Sequence, residues 1–329
     1  MSSIESSRVK VRFPTFLARW NHFFFSSYDP LPAAVFRISL GFLVVLNYVA
    51  LAANWRRYYA ADGMLSLTGG YSAGQDLRWV SVFSWVDGLM PVRALWGIGL
   101  TAAITFMVGW RTRVSTIVLF VMQNSMLIRN GVAMNAEDLM FRMLLFYGCF
   151  APLGATLSVD RMLLRRRALT SVRGKRISDR HEYWPIRLMQ INIALIYLLS
   201  LPRKLIWDSA WLDGTALYWT LMNDTWARWP GSGVFYGTKL VTGLTWGALL
   251  VEALFPLLVW FKTTRKYALM GVVALHLGIA IVLQNVTFFS LSMVSTFVLF
   301  VPASSLRAAL TWFPRNWTPR LARVKRLGT

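Results

Sequence analysis

Apolar residues run almost unbroken through eight stretches separated by polar or basic connections. They are Pro32–Ala53, Pro91–Val108, Val114–Ile128, Leu139–Leu157, Ile186–Leu201, Leu240–Phe261, Tyr267–Gln284 and Phe288–Pro302. Most approach the ~20 residues that a helix needs to cross a bilayer, the third and last being shorter. Barrel strands alternate polar and apolar positions, and these runs do not. Helices are then the remaining way to satisfy the backbone inside lipid. The pattern predicts an all-α integral membrane protein, a bundle of about eight transmembrane helices. Residues 1–31 read as a basic N-terminal segment, 32–302 as the membrane domain and 303–329 as a basic tail. No internal repeat or low-complexity linker divides the chain.

Composition agrees. The 329 residues are 56% hydrophobic with mean hydropathy +0.48, and 15% are charged, against about 25% in soluble domains. A net charge of +21 suggests nucleic acid until its distribution is considered. Twenty-three Lys and Arg fall on one side of the predicted bundle and eight on the other, where eight acids also lie. By the positive-inside bias both termini are cytoplasmic. The basic segments then attract anionic lipid on that side, and no nucleic-acid partner is expected. Cys149 is the single cysteine, which excludes an internal disulfide and any zinc site built from several thiolates. No cleavable targeting pattern precedes the first run, so that run is expected to act as the insertion signal. Two outer connections, 54–90 and 203–239, are long. The second holds Trp207, Trp211, Trp219, Trp226 and Trp229, and Asp213 can cap a short helix there. Both connections are expected to lie over the bundle as lids.

Ionisable residues inside a membrane mark sites by default. Arg37, Arg142, Arg187, Glu252 and His276 qualify. Arg37 and Arg187 lie near the basic ends of their runs, where snorkelling to headgroups accounts for them. Glu252 and His276 fall near mid-membrane on consecutive runs and are placed to pair. Asn135, Glu137, Asp138 and Arg142 gather where the fourth run enters from outside, with Asp138 and Arg142 on one face. In the fifth run Gln190, Tyr197 and Lys204 recur every seven residues, with Ser200 between, a polar stripe expected to face the interior. Pro202 is expected to kink or end that helix. Lys204 then reads either as a cation anchoring a helix C-terminus or as a desolvated neutral base.

Three stretches resemble the HTTM family, the transmembrane domain shared with vitamin K-dependent γ-carboxylases. They are Asn135–Arg142 (NAEDLMFR) running on to FAPLG at 150–154 and SVD at 158–160, Lys204–Tyr218 (KLIWDSAWLDGTALY), and Glu252 with Phe255–Pro256 followed by His276 and the last run. The likeness spans roughly residues 30–302. It implies that Lys204 is the base that deprotonates a reduced quinone, that Glu137 and His276 join it in catalysis, and that Arg142 and His276 stabilise developing oxyanion charge. Asn135, Asp138, Tyr197, Trp211 and Glu252 would shape the substrate site. Two departures weigh against carboxylation of peptide glutamate. About 27 residues follow the last run, too few for the lumenal domain of the animal enzymes, and Glu137 stands where those enzymes have a histidine. The implied function is quinol-type chemistry on a lipophilic substrate at the outer face, with a peptide or protein as a possible second substrate. The alternatives are a non-catalytic partner in maturing or exporting a secreted peptide, similar in layout to bacterial relatives associated with a sporulation-delaying toxin, and, with less support, a small-molecule transporter. The bacterial cytoplasmic membrane is the expected location.

Overall fold

In a computed structural model the chain is described over residues 15–60, 62–64, 80–86, 88–133, 135–170, 182–229 and 238–311. Gly69, Gly70, Gly74 and Trp79 of the first outer connection, and the basic residues of 1–14, 171–181 and 312–329, lie outside them. The described residues form α-helices joined by turns and short 3-10 segments: α1 (Phe16–Phe25), α2 (Leu31–Leu51), α3 (Trp55–Tyr59), α4 (Leu89–Val108), α5 (Thr112–Arg129), α6 (Ala136–Gly148), α7 (Val159–Thr170), α8 (Trp184–Trp207), α9 (Ser209–Leu212), α10 (Ala216–Met222), α11 (Thr238–Leu258), α12 (Arg265–Val282), α13 (Thr287–Phe297) and α14 (Ala303–Thr311).

Eight of these helices coincide with the eight apolar runs. Each packs on the next, in the order α2, α4, α5, α6, α8, α11, α12, α13, and α13 returns to α2 and also touches α6. Five (α2, α4, α8, α11 and α12) are long and apolar enough to cross a membrane. A sixth is reached if Thr287–Phe300 and Ala303–Thr311, bent by 110°, count as one span. The chain is a multipass membrane protein. Helix α5 carries Arg113, Gln123 and Arg129, and α6 has only 13 residues.

Helix α13 lies in the middle of the bundle. Ser290, Ser292 and Thr296 on it are fully buried. Their small side chains let neighbours approach closely. The Ser292 and Thr296 hydroxyls donate to Phe288 O and Met293 O of their own helix, which keeps them satisfied in an apolar surround.

The fourth run departs from expectation. Its hydropathy predicts helix to Leu157, but α6 stops at Gly148. Pro152 has no N–H to donate and disfavours helix at Ala151. Gly154 then approaches α5 so closely that a Cβ would sit 2.6 Å from Thr112 Oγ1. Arg37 reaches into the turn that results. It does not snorkel: it is 0% exposed, and its guanidinium donates to Leu153 O at 2.8 Å and to Leu157 O. The turn after α6 supplies the main-chain carbonyls that hold it inside. The α4–α5 turn closes the same knot. Gly109 there has φ +75°, and a Cβ would meet Ser158 Cβ at 2.5 Å and Arg37 Cζ at 2.8 Å. Asp160, at the start of α7, accepts from Arg111 N, Thr112 N and Thr112 Oγ1, all at 2.7 Å, and so caps α5.

The first and last described helices share this end. Asp29 pairs with Arg307 of α14 at 2.6 Å, and Ser27 bridges to Glu182. Helices α3, α9 and α10 cover the opposite end. There Asp208 Oδ1 caps α9 by accepting from Ala210 N, while α10 begins after Thr215. Asp213, the expected cap, instead follows the end of α9.

Candidate functional site

Helix α8 carries the polar stripe. Gln190 and Tyr197 are buried, at 2% and 4% exposure. Pro202 does not end the helix, which continues to Trp207. Pro202 has no N–H for Leu198 O, while the Ser200 hydroxyl donates to Tyr197 O just before it. The last turns stay helical and aim Lys204 back into the bundle. Its Nζ donates to Glu252 Oε1 at 2.7 Å and Oε2 at 2.6 Å, and Ser200 Oγ donates to Glu252 Oε2 at 3.3 Å. The two side chains keep 22% and 11% exposure. Trp211 of α9 covers the amine, with Nζ 4.2 Å from its ring centroid, a cation–π contact.

Gly214 lets the lid close. It has φ +74°, and a Cβ would lie 2.5 Å from Thr242 Cγ2 of α11. Trp246 Nε1 donates to Leu212 O and ties α9 to the same helix. The run from Lys204 to Gly214 is thus one physical unit: a reaching lysine, a covering tryptophan, and a glycine where only a bare backbone fits against α11.

Glu252 and His276, expected to pair, do not. Glu252 takes Lys204, and His276 Nε2 shares a 2.7 Å hydrogen bond with the Tyr197 hydroxyl. Helix α11 packs on both α8 and α12, and side chains of α8 bond both Glu252 and His276. Phe255 lies edge-on to Tyr197 at 4.9 Å, with Phe289 and Phe297 within 6 Å of the His276 ring. His276 Nδ1 is buried without a partner among the described residues. Changing Tyr197 to phenylalanine keeps the ring packing and strands the second imidazole nitrogen as well. We expect a loss of about 1–3 kcal/mol, read as a thermal midpoint a few degrees below wild type in detergent. An unchanged midpoint would show that the hydrogen bond contributes nothing.

Asn135, Glu137 and Asp138 form a second cluster, at the start of α6. Asp138 Oδ1 accepts from Asn47 Nδ2 at 3.2 Å and Gln123 Nε2 at 2.9 Å, and Asp138 Oδ2 accepts from Asn135 N. This ties α2, α5 and α6 together. Glu137 is 5% exposed, and its Oε2 has no partner among the described residues. Arg142 is half-buried one turn further on, and no ion pair joins it to Asp138. Among the described residues no hydrogen bond links the two clusters. Asn47 and Gln123 escaped the reading of the sequence. Their signal was an amide near the outer end of each of two apolar runs, alone at Asn47 and paired with Asn124 at Gln123.

The lysine–tryptophan–glycine unit, the acidic start of α6 and the glutamate and histidine of α11 and α12 are thereby placed in three dimensions. No solved structure gives a significant match to the chain. A family model does: the HTTM domain matches residues 25–304. With the match covering most of its length, the chain belongs to the HTTM domain family, the transmembrane domain family of the vitamin K-dependent carboxylases.

Proposed function

We propose that this protein is a membrane enzyme acting on a quinol-type lipophilic substrate, with Lys204 as its base. The observation that carries the reading is the Lys204 amine, held by two hydrogen bonds to Glu252 and roofed by Trp211. Its topology is eight crossings with both termini in the cytoplasm, α5 and α6 being the shorter members. Alternating directions around the bundle and the shared end of α1 and α14 support this. The site then opens to the outer face of a bacterial cytoplasmic membrane.

The residues present fit a reduced quinone. Trp211 offers a flat aromatic face beside the amine, and an amine and a carboxylate stand ready for proton transfer. A bound quinol would supply an acidic phenolic O–H and, with dioxygen as the oxidant, two electrons. Lys204 passes its extra proton to Glu252, leaving a neutral amine that accepts the phenolic proton. Ser200 steadies the carboxylate through this exchange. Tyr197 and His276 offer a second polar pair beneath it, while Glu137 and Arg142 bear on the reaction from the start of α6. A peptide at the outer face is the second substrate that the family resemblance suggests.

The same ion pair also favours a rival. Lys204 and Glu252 could simply tie α8 to α11 in a non-catalytic partner that matures or exports a secreted peptide. Mass spectrometry of lipophilic molecules co-purifying in nanodiscs separates the two, with wild type and Lys204→Ala side by side. The enzyme reading expects a near-stoichiometric quinone in wild type that is lost or altered in the variant. Its absence from both folded samples would overturn that reading.

A further inference from the structure

A second polar site lies at the opposite end of the bundle, remote from Lys204. A cavity of about 170 Å³ opens between the starts of α2 and α8, the end of α11 and the 3-10 turn after α13. Arg187 and Arg265 both line it. Arg187 is not a snorkelling side chain: its guanidinium is stacked between Phe23 and Tyr183, at 4.4 and 4.2 Å from their ring centroids. Its Nε donates to Phe23 O and its Nη1 to Gln190 Oε1. Arg265 donates through Nε to Val259 O and through Nη2 to Trp260 O, holding the end of α11. Each guanidinium therefore keeps one terminal nitrogen, Nη2 of Arg187 and Nη1 of Arg265, with no acceptor among the described residues.

Neither arginine has a carboxylate partner among the described residues. Asp29, which also lines the cavity, is committed to Arg307 and to Leu31 N. Tyr28, stacked on Tyr183, brings a buried hydroxyl that has no partner either. A wider pocket of about 590 Å³ adjoins, sharing Arg265, Val301 and Pro302 with the first. It adds Lys262, Lys266 and Ser305, and no acid lines it. Four cations thus line two adjoining pockets. Such a gathering is unfavourable unless an anion occupies it. The free guanidinium nitrogens are fixed by their other bonds, which suits a phosphate, whose oxygens arginine forks match.

We propose that this space holds the headgroup phosphate of an anionic phospholipid, gripped by Arg187 and Arg265 within and by Lys262 and Lys266 at the mouth. The source of the phosphate follows from the surroundings. Tyr267 and Met270 beside the mouth are 62% and 67% exposed, on a helix long and apolar enough to span a membrane. Acyl chains can lie along that apolar surface while the headgroup enters, as in basic pockets between membrane helices. This inference is independent of quinol chemistry at the other end.

The test is thermal unfolding of purified protein in detergent, with phosphatidylglycerol, phosphatidylcholine or inorganic phosphate added in turn. Phosphatidylglycerol is expected to raise the wild-type midpoint by several degrees and phosphatidylcholine by much less. Lys262→Gln with Lys266→Gln removes only exposed cations, so folding should persist while at least half the shift disappears. Arg265→Gln should abolish the rest. An equal shift from phosphatidylcholine, or an undiminished shift in the double variant, would overturn the proposal. An equal shift from inorganic phosphate would overturn the lipid source and leave a free-anion pocket.

Discussion

Arg37→Ala is expected to leave little folded protein, and whatever does fold should unfold on the order of 10 °C below wild type. Arg37 is fully buried and bonds Leu153 O and Leu157 O in the turn after α6. A buried carbonyl stripped of its donor costs about 1–3 kcal/mol, and this applies in full to Leu153 O and in part to the half-buried bond to Leu157 O. Removing the side chain also opens a void beside Gly109, whose backbone packs against the guanidinium. Together these come to about 4 kcal/mol or more, a large share of the ~5–15 kcal/mol that separates folded from unfolded states. In a large chain each kcal/mol moves the midpoint by roughly 2–4 °C. Arg37→Lys should recover only part of the loss, because one ammonium cannot span two carbonyls as a planar guanidinium does. Size-exclusion after stepwise heating measures both variants. A wild-type midpoint for Arg37→Ala would mean that the knot of α4, α6 and α7 is held by Asp160 alone.

That knot marks where the sequence stopped being readable. The long helices were legible because lipid imposes one rule on every residue of a span. Helix α2, expected over Pro32–Ala53, runs over Leu31–Leu51, and α12, expected over Tyr267–Gln284, runs over Arg265–Val282. Hydropathy cannot tell an apolar helix from an apolar turn, so the fourth run was carried nine residues past Gly148. Pro152 and Gly154 were the only signs, and one proline inside a run is weak evidence, as Pro202 within the unbroken α8 shows. Arg37 bonds to main-chain oxygens, which every residue has, so no side chain in the sequence could announce its partners.

The candidate site was legible in its members and illegible in its pairings. Lys204, Tyr197, Glu252 and His276 stand out as polar residues in apolar helices. Adjacency along the chain suggested Glu252 with His276, since α11 and α12 are joined by a short turn. Their helices do pack together, but α8 packs on α11 as well and supplies both partners. Which face of α11 meets α8 is set by tertiary packing that no local pattern encodes.

Replacing Lys204 and Glu252 singly and together should separate stability from chemistry at this site. Lys204→Met leaves the Glu252 carboxylate, only 11% exposed, without its ammonium, and Glu252→Gln leaves the lysine charge without its counter-ion. Each single change should cost about 3 kcal/mol, the lower end for breaking a buried pair, because Lys204 keeps 22% exposure. The double variant removes both charges, and more than half of the stability should return. The expected coupling is therefore at least about 3 kcal/mol, the top of the range for residues in direct contact. The proposed quinol oxidation should behave differently. Loss of a positioned base costs roughly 10²–10⁴-fold, and the double variant has no amine to take the proton. Stability should therefore recover while activity stays at the level of Lys204→Met. Lys204→Arg sharpens the contrast: it keeps the charge and much of the pair, yet an arginine does not become a neutral base, so it should be stable and inactive. Activity returning with stability in the double variant, or persisting in Lys204→Arg, would make the pair a tie between α8 and α11 and move the chemistry away from Lys204.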